Sequence, residues 1–151
     1  MKRVLIAGIG SHHQADAGGW MVIDQLKGQF SSSLAPRIVL AKLQTPLDLL
    51  DYVDHQPVPS EEMLVAWILI DACMGLESGR SRRWIWPKIP QEYSSKSSTH
   101  ALGLLDVLRL AETLGNLPRE VSIYGVSIDD LGRSIDDCIK ALVPHIDQLL
   151  A

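Results

Sequence analysis

Residues 64–70 read Leu-Val-Ala-Trp-Ile-Leu-Ile, seven apolar residues in a row that end on Asp71. A strand with water on one face alternates apolar and polar residues, so an unbroken run is expected where both faces are covered. Residues 4–9 (Val-Leu-Ile-Ala-Gly-Ile) and 121–126 (Val-Ser-Ile-Tyr-Gly-Val) read as further buried strands. Segments of helical spacing separate them. Trp20, Val22, Ile23 and Leu26 fall on one helical face, and Gly28 ends that helix. Thr45-Pro46 supplies an N-cap and a proline at the first helical position, ahead of Leu47, Leu50 and Val53. A helix is predicted from His100, capped by Thr99, to about Leu114, with Gly115 and Pro118 closing it. Ser134 is predicted to open a last helix through Leu150, kinked at Pro144. Residues 37–43 and 83–89 read as two more strands, the second with Trp84 and Trp86 on one face and Pro87 at an edge position. Strands alternating with helices imply an α/β fold, a largely parallel sheet covered on both sides.

A chain of 151 residues is expected to form one domain, 1–151, with a substantial core. The net charge of −4 argues against a nucleic-acid partner, which needs a basic surface. Arg80, Arg82 and Arg83 form a local basic cluster, read as a solvated loop or a partner contact. Cys73 and Cys138 make no CxxC pair and read as buried thiols of a reducing compartment. The apolar run after Lys2-Arg3 stops at Gly8, too short for a signal core, and no run of about twenty apolar residues exists. The expectation is a cytoplasmic protein without membrane insertion; the oligomeric state is left open.

Three places can carry chemistry. Asp71 follows a central strand, where open α/β sheets bind ligands; its other reading is a turn-forming Asp. His100 is placed at a helix start, where the positive helix end favours a neutral ring that can coordinate a metal or accept a proton; a histidine alone in that position is more often a surface or packing residue. Asp16, His12 and His13 crowd the loop after the first strand, with at most one histidine facing the crevice and Asp16 alternatively capping the helix near Gly18. One or two carboxylates and an imidazole suit a divalent metal with open positions. A nucleotide is not expected. Gly8-Ile9-Gly10 begins like a dinucleotide fingerprint, but His13 occupies the third glycine position, and no GK[ST], GxSxG or HExxH sequence occurs.

In these residues the chain resembles the hydrogenase maturation endopeptidases, which trim the C-terminal tail from the large subunit of nickel–iron hydrogenases. The family's first loop has the form G-N-x-x-x-x-D-[DE]-x-x-G; here it reads Gly10-Ser11-His12-His13-Gln14-Ala15-Asp16-Ala17-Gly18-Gly19-Trp20. Ile70-Asp71-Ala72 matches the strand-end carboxylate, and Ser98-Thr99-His100-Ala101-Leu102-Gly103-Leu104-Leu105-Asp106 matches the histidine segment. Leu117-Pro118 and Val121–Val126 fit its closing strand. The resemblance implies a three-layer α/β/α fold, phosphorylase/hydrolase-like, with a mostly parallel five-stranded sheet in which 83–89 is antiparallel. It implies a metal-dependent endopeptidase whose partner is a hydrogenase large-subunit precursor. Asp71 and His100 are its catalytic residues and ligands to nickel carried by the precursor, or to another divalent metal at the same site. Gly10 and Ser11 are implied to bind substrate. The third ligand of the family is an acidic residue that falls here on Ala17, which has no donor atom. Ser11 stands where the family has Asn, and Ala101 where a polar residue is frequent. Asp16, His12 or His13 is then the substitute ligand, with Gly18 and Gly19 relaxing the backbone for a shift of the loop. The alternatives are a non-cleaving, binding or chaperone-like homologue, and a different small ligand in the same crevice.

Overall fold

The computed structural model describes residues 1–13, 16–53, 64–91, 93 and 102–151. Five strands, β1 (Arg3–Ile9), β2 (Ile38–Leu43), β3 (Leu64–Cys73), β4 (Ser81–Ile85) and β5 (Glu120–Ser127), form one sheet in the order β2-β1-β3-β5-β4. The first three and β5 run parallel, and β4 is antiparallel to β5. Helices α1 (Gly18–Leu26) and α3 (Leu131–Leu150) pack on one face and α2 (Leu104–Thr113) on the other. The unbroken apolar runs pointed to a largely parallel sheet covered on both faces, and the family resemblance to three layers; both are found.

The period-two alternation of β3 sets the two cores. Ile68, Ile70 and Ala72 pack with Val22, Ile23, Ile135 and Leu142 on the α1/α3 face. Trp67, Leu69 and Cys73 pack with Leu49, Val107 and Leu108 on the α2 face. Each such side chain contributes about 1.5–3 kcal/mol by leaving water, so β1, β3 and β5 form the rigid frame on which any site at their ends rests.

Several boundaries differ from the sequence reading. Strand β3 does not stop at Asp71. Ala72 and Cys73 pair onward with Val126 and Ser127 and are buried, so the carboxylate lies inside the sheet and not in a turn. Helix α2 begins at Leu104, four residues past His100. Asp106 Oδ2 accepts from the Gly103 amide at 3.2 Å, which fixes the helix start there. Thr99 and His100 lie outside the described residues. Helix α3 begins at Leu131; Ser134 is inside it, its hydroxyl donating to the Asp130 carbonyl at 3.1 Å. The helix runs through Pro144 as one element. Residues 46–52, with Thr45 Oγ1 accepting from the Leu47 amide at 3.0 Å, form a 3-10 helix (Pro46–Tyr52).

The three arginines of the cluster are exposed, as expected, but only Arg80 lies in a loop. Ser81, Arg82 and Arg83 belong to β4, and Arg83 enters a network between β4, β5 and α3. Its Nη2 lies 3.1 Å from Glu120 Oε1, 3.3 Å from Ser122 Oγ and 3.0 Å from His145 Nε2. A guanidinium only donates, so His145 Nε2 accepts, and Nδ1 then carries the proton toward Tyr124 Oη at 2.7 Å. Burial, and then the Arg83 charge, hold the His145 pKa below its ordinary value. The nearby Tyr124 phenol is pushed up to about 12, chiefly by burial. Arg80 pairs with Asp137 at 3.6 Å, and Arg82 lies over the Trp84 ring. Among the described residues no helix is long and apolar enough to cross a membrane.

Candidate functional site

The sheet order places β1 between β2 and β3, so the chain leaves β1 toward one edge and β3 toward the other. Their carboxyl ends form the switch point at which open α/β sheets bind ligands. Ile9 is the register partner of Asp71 on one side and Gly125 on the other, which fixes Asp71 at the centre of that edge.

Asp71 is fully buried, on the same side of β3 as Leu69 and Cys73. Tyr93 donates its hydroxyl to Asp71 Oδ2 at 2.6 Å, a distance typical of a charge-assisted O–H···O bond. The Tyr93 ring meets Trp84 edge-on, with centroids 5.2 Å apart and planes at 83°. Trp84 can lie there because Gly125 has no side chain. A β-carbon at Gly125 would stand 2.7 Å from Trp84 Cζ3 and 2.9 Å from Cys73 Sγ. Cys73 is no nucleophile here. Burial first, and the Asp71 charge second, push its thiol well above the ordinary thiol range, and it donates to the Asp71 carbonyl at 3.6 Å.

The first loop closes over the end of β1. Gly10 donates its amide to the Leu43 carbonyl at 3.0 Å, and the Asp16 carbonyl oxygen packs where a Gly10 side chain would stand. Ser11 Oγ accepts from the His13 amide at 3.2 Å, and the Asp16 amide donates to the His13 carbonyl at 2.8 Å. Ser11 and Gly10 therefore shape the loop. Gly18 and Gly19 are close-approach glycines, in contrast to the relaxation expected of them. A β-carbon on Gly19 would stand 2.5 Å from the Ile70 carbonyl oxygen and 2.9 Å from that of Ile9, and one on Gly18 would stand 2.9 Å from Val126 Cγ2. The first turn of α1 is thus pressed onto the ends of β1 and β3, with no room for a side chain at Gly18 or Gly19.

The crowd of polar side chains separates. His12 is exposed and edge-on to Trp20, with centroids 4.7 Å apart, while Trp20 Nε1 donates to the Leu43 carbonyl at 3.1 Å. That turns His12 toward the β2 side. His13 is exposed. Ala17 occupies the N-cap position of α1, where no side chain caps the helix, so Asp16 does not serve as its cap. Asp16 Oδ1 is instead buried with no hydrogen-bond partner among the described residues, and Trp84 Nε1 is in the same condition. Native proteins rarely leave buried polar atoms unpaired, and those that persist need a reason. Among the described residues no three His, Cys, Asp or Glu side chains group to hold a metal ion. His100 lies outside the described residues.

The model of the family described as HycI, hydrogenase maturation protease, matches residues 46–150 of the chain. The chain belongs to the hydrogenase maturation protease family. The matched range holds Asp71, Tyr93 and Gly125 and begins after the first loop. A curated relative, the hydrogenase expression/formation protein HupD of Thiocapsa roseopersicina, is 29% identical over 97% of this chain, which spans 66% of the relative's length. The fold is similar to that of the hydrogenase maturating endopeptidase HybD from E. coli, with TM-score 0.71, 18% identity, and 97% of this chain and 93% of that one covered. It is also similar to the [NiFe] hydrogenase maturation protease HybD from Thermococcus kodakarensis, with TM-score 0.68, 17% identity and coverage of 95% and 99%.

Two residues of this family member were missed by sequence reasoning. Tyr93 is 22 positions from Asp71 with no pattern linking the two. Gly125 carried a usable signal, since a glycine inside a buried strand marks close approach of another group.

Proposed function

We propose that the chain is an endopeptidase that removes the C-terminal extension of a nickel–iron hydrogenase large-subunit precursor and recognises the nickel which that precursor carries. The observation that carries the reading is Asp71, a buried carboxylate at the centre of the sheet's carboxyl edge in a chain of this family. Asp71 and His100 ligate the nickel of the precursor. Asp16 takes the role that Ala17 leaves vacant; its buried Oδ1 without a partner supports that assignment. His12, held against Trp20, is the weaker substitute. Hydrolysis needs a water to attack the scissile carbonyl and a proton for the departing amine. The nickel arrives and leaves with the precursor and supplies charge that polarises the peptide. Another divalent ion with the same preference for carboxylate and imidazole donors fits the same residues.

A second reading follows from Ala17, which offers no donor at the N-cap of α1: a homologue that binds the precursor without cutting it. Incubating the purified chain with a nickel-loaded large-subunit precursor separates the two. A precursor shortened by mass establishes the endopeptidase. An intact precursor that co-purifies with the chain establishes the binding homologue. An intact precursor that does not co-purify contradicts both.

A further inference from the structure

We propose that Tyr93 is a positioning residue for Asp71, holding its carboxylate in the one orientation the site uses. The inference rests on the endopeptidase reading above and adds a residue to it. Asp71 has no exposed surface, so its orientation is set by protein groups and not by bulk water. Tyr93 grips Oδ2 at 2.6 Å. The grip is itself fixed at its other end. The Tyr93 ring stands edge-on against Trp84, which lies over the bare Cα of Gly125, the register partner of Asp71 on β5. Gly125, Trp84 and Tyr93 thus form a closed circuit that starts and ends beside Asp71. Three strands supply all but Tyr93: β3 gives Asp71, β4 gives Trp84 and β5 gives Gly125.

The geometry has a chemical consequence. Carboxylates that meet a metal are themselves held by hydrogen bonds from neighbouring groups, which fix their orientation, and the Tyr93 hydroxyl supplies such a bond to Oδ2. The bond therefore fixes the plane in which the carboxylate is presented at the edge of the sheet. A site that depends on this aim loses rate when the aim is lost, even though the fold remains, because small misplacements of reacting groups are costly.

The test uses the full chain and a nickel-loaded hydrogenase large-subunit precursor from the same organism. Tyr93→Phe deletes the hydroxyl and keeps the ring on Trp84; Tyr93→Leu deletes both. The expected result is a single-turnover cleavage rate, at saturating precursor, about ten- to hundredfold lower in Tyr93→Phe, the range for losing a hydrogen bond to a charged group. Tyr93→Leu should fall at least as far, and the thermal melt of Tyr93→Phe should stay within a few degrees of the parent. If only the ring matters, Tyr93→Phe cleaves within twofold of the parent while Tyr93→Leu fails, and the inference is overturned with the endopeptidase reading intact. A second readout needs no precursor. In proton NMR the buried Tyr93 hydroxyl should give a slowly exchanging downfield resonance, lost in both Tyr93→Phe and Asp71→Ala. Absence of that resonance in the parent chain overturns the inference whatever the cleavage rates. If the parent chain leaves the precursor whole, the endopeptidase reading itself fails and the positioning role falls with it.

Discussion

Removing the Asp16 carboxylate should make the protein more stable and less active. The side chain has one oxygen, Oδ1, buried without a partner. Its backbone, by contrast, is fully engaged: the amide donates to the His13 carbonyl and the carbonyl accepts from the Ser11 amide. Asp16→Ala keeps those backbone bonds and removes the carboxylate that carries Oδ1. An unsatisfied buried polar atom costs about 1–3 kcal/mol. Because Asp16 as a whole is only half-buried, the low end applies, a gain of about 1 kcal/mol. For a chain of this size that raises the melting temperature by about 2–4 °C. Cleavage of the nickel-loaded precursor should fall at least tenfold if Asp16 stands in for the donor that Ala17 lacks. Melting by circular dichroism and precursor cleavage, measured on the same preparation, give both quantities. A variant destabilised by more than about 1 kcal/mol, or one that cleaves within twofold of the parent, would make Asp16 a structural residue of the loop.

Further expectations concern the groups around Asp71 and the β4 network. Gly125→Ala pushes a methyl group into Trp84 and Cys73 and should cost about 1–3 kcal/mol, the usual range for overpacking, read as a lower urea midpoint together with slower cleavage; an unchanged midpoint would show that Trp84 is free to move. Cys73→Ala should retain cleavage, and alkylation of Cys73 in the native chain should be slow at neutral pH, because burial holds the thiol protonated; loss of cleavage on substitution would point to a thiol mechanism instead. His145 favours its neutral form in the fold, since burial and Arg83 lower its pKa. Its contribution is complete above the ordinary value of 6.5 and is lost as the pH falls below it. The slope is at most about 1.4 kcal/mol per pH unit for one proton. His145→Gln should flatten that slope between pH 6.5 and 5, and an unchanged slope would assign the acid sensitivity to other groups.

The sheet was legible because burial on both faces leaves the plainest mark a sequence can carry. The runs at 4–9, 64–70 and 121–126 became the three central strands, and Asp71 was visible as the polar residue at the end of the longest. Its environment was not legible. The strand continued past it because Ala72 and Cys73 found partners in Val126 and Ser127 on β5, a tertiary fact that no local pattern records. The start of α2 moved from His100 to Leu104 for a local reason that was present in the sequence but outweighed by Thr99: Asp106, three residues after Gly103, caps it. In the first loop, the glycines suggested mobility, yet Gly18 and Gly19 are required by close contact with strand backbone and with Val126. Tyr93 left no trace because hydrogen bonds between distant segments have no period.

We propose that this protein cuts a precursor whose nickel it recognises. The direct measurement is the intact mass of a purified large-subunit precursor, nickel-loaded or nickel-free, after incubation with the purified chain. The loaded precursor should lose its C-terminal extension and the nickel-free one should not. A loaded precursor that keeps its full mass, or a nickel-free one trimmed at the same rate, would contradict it.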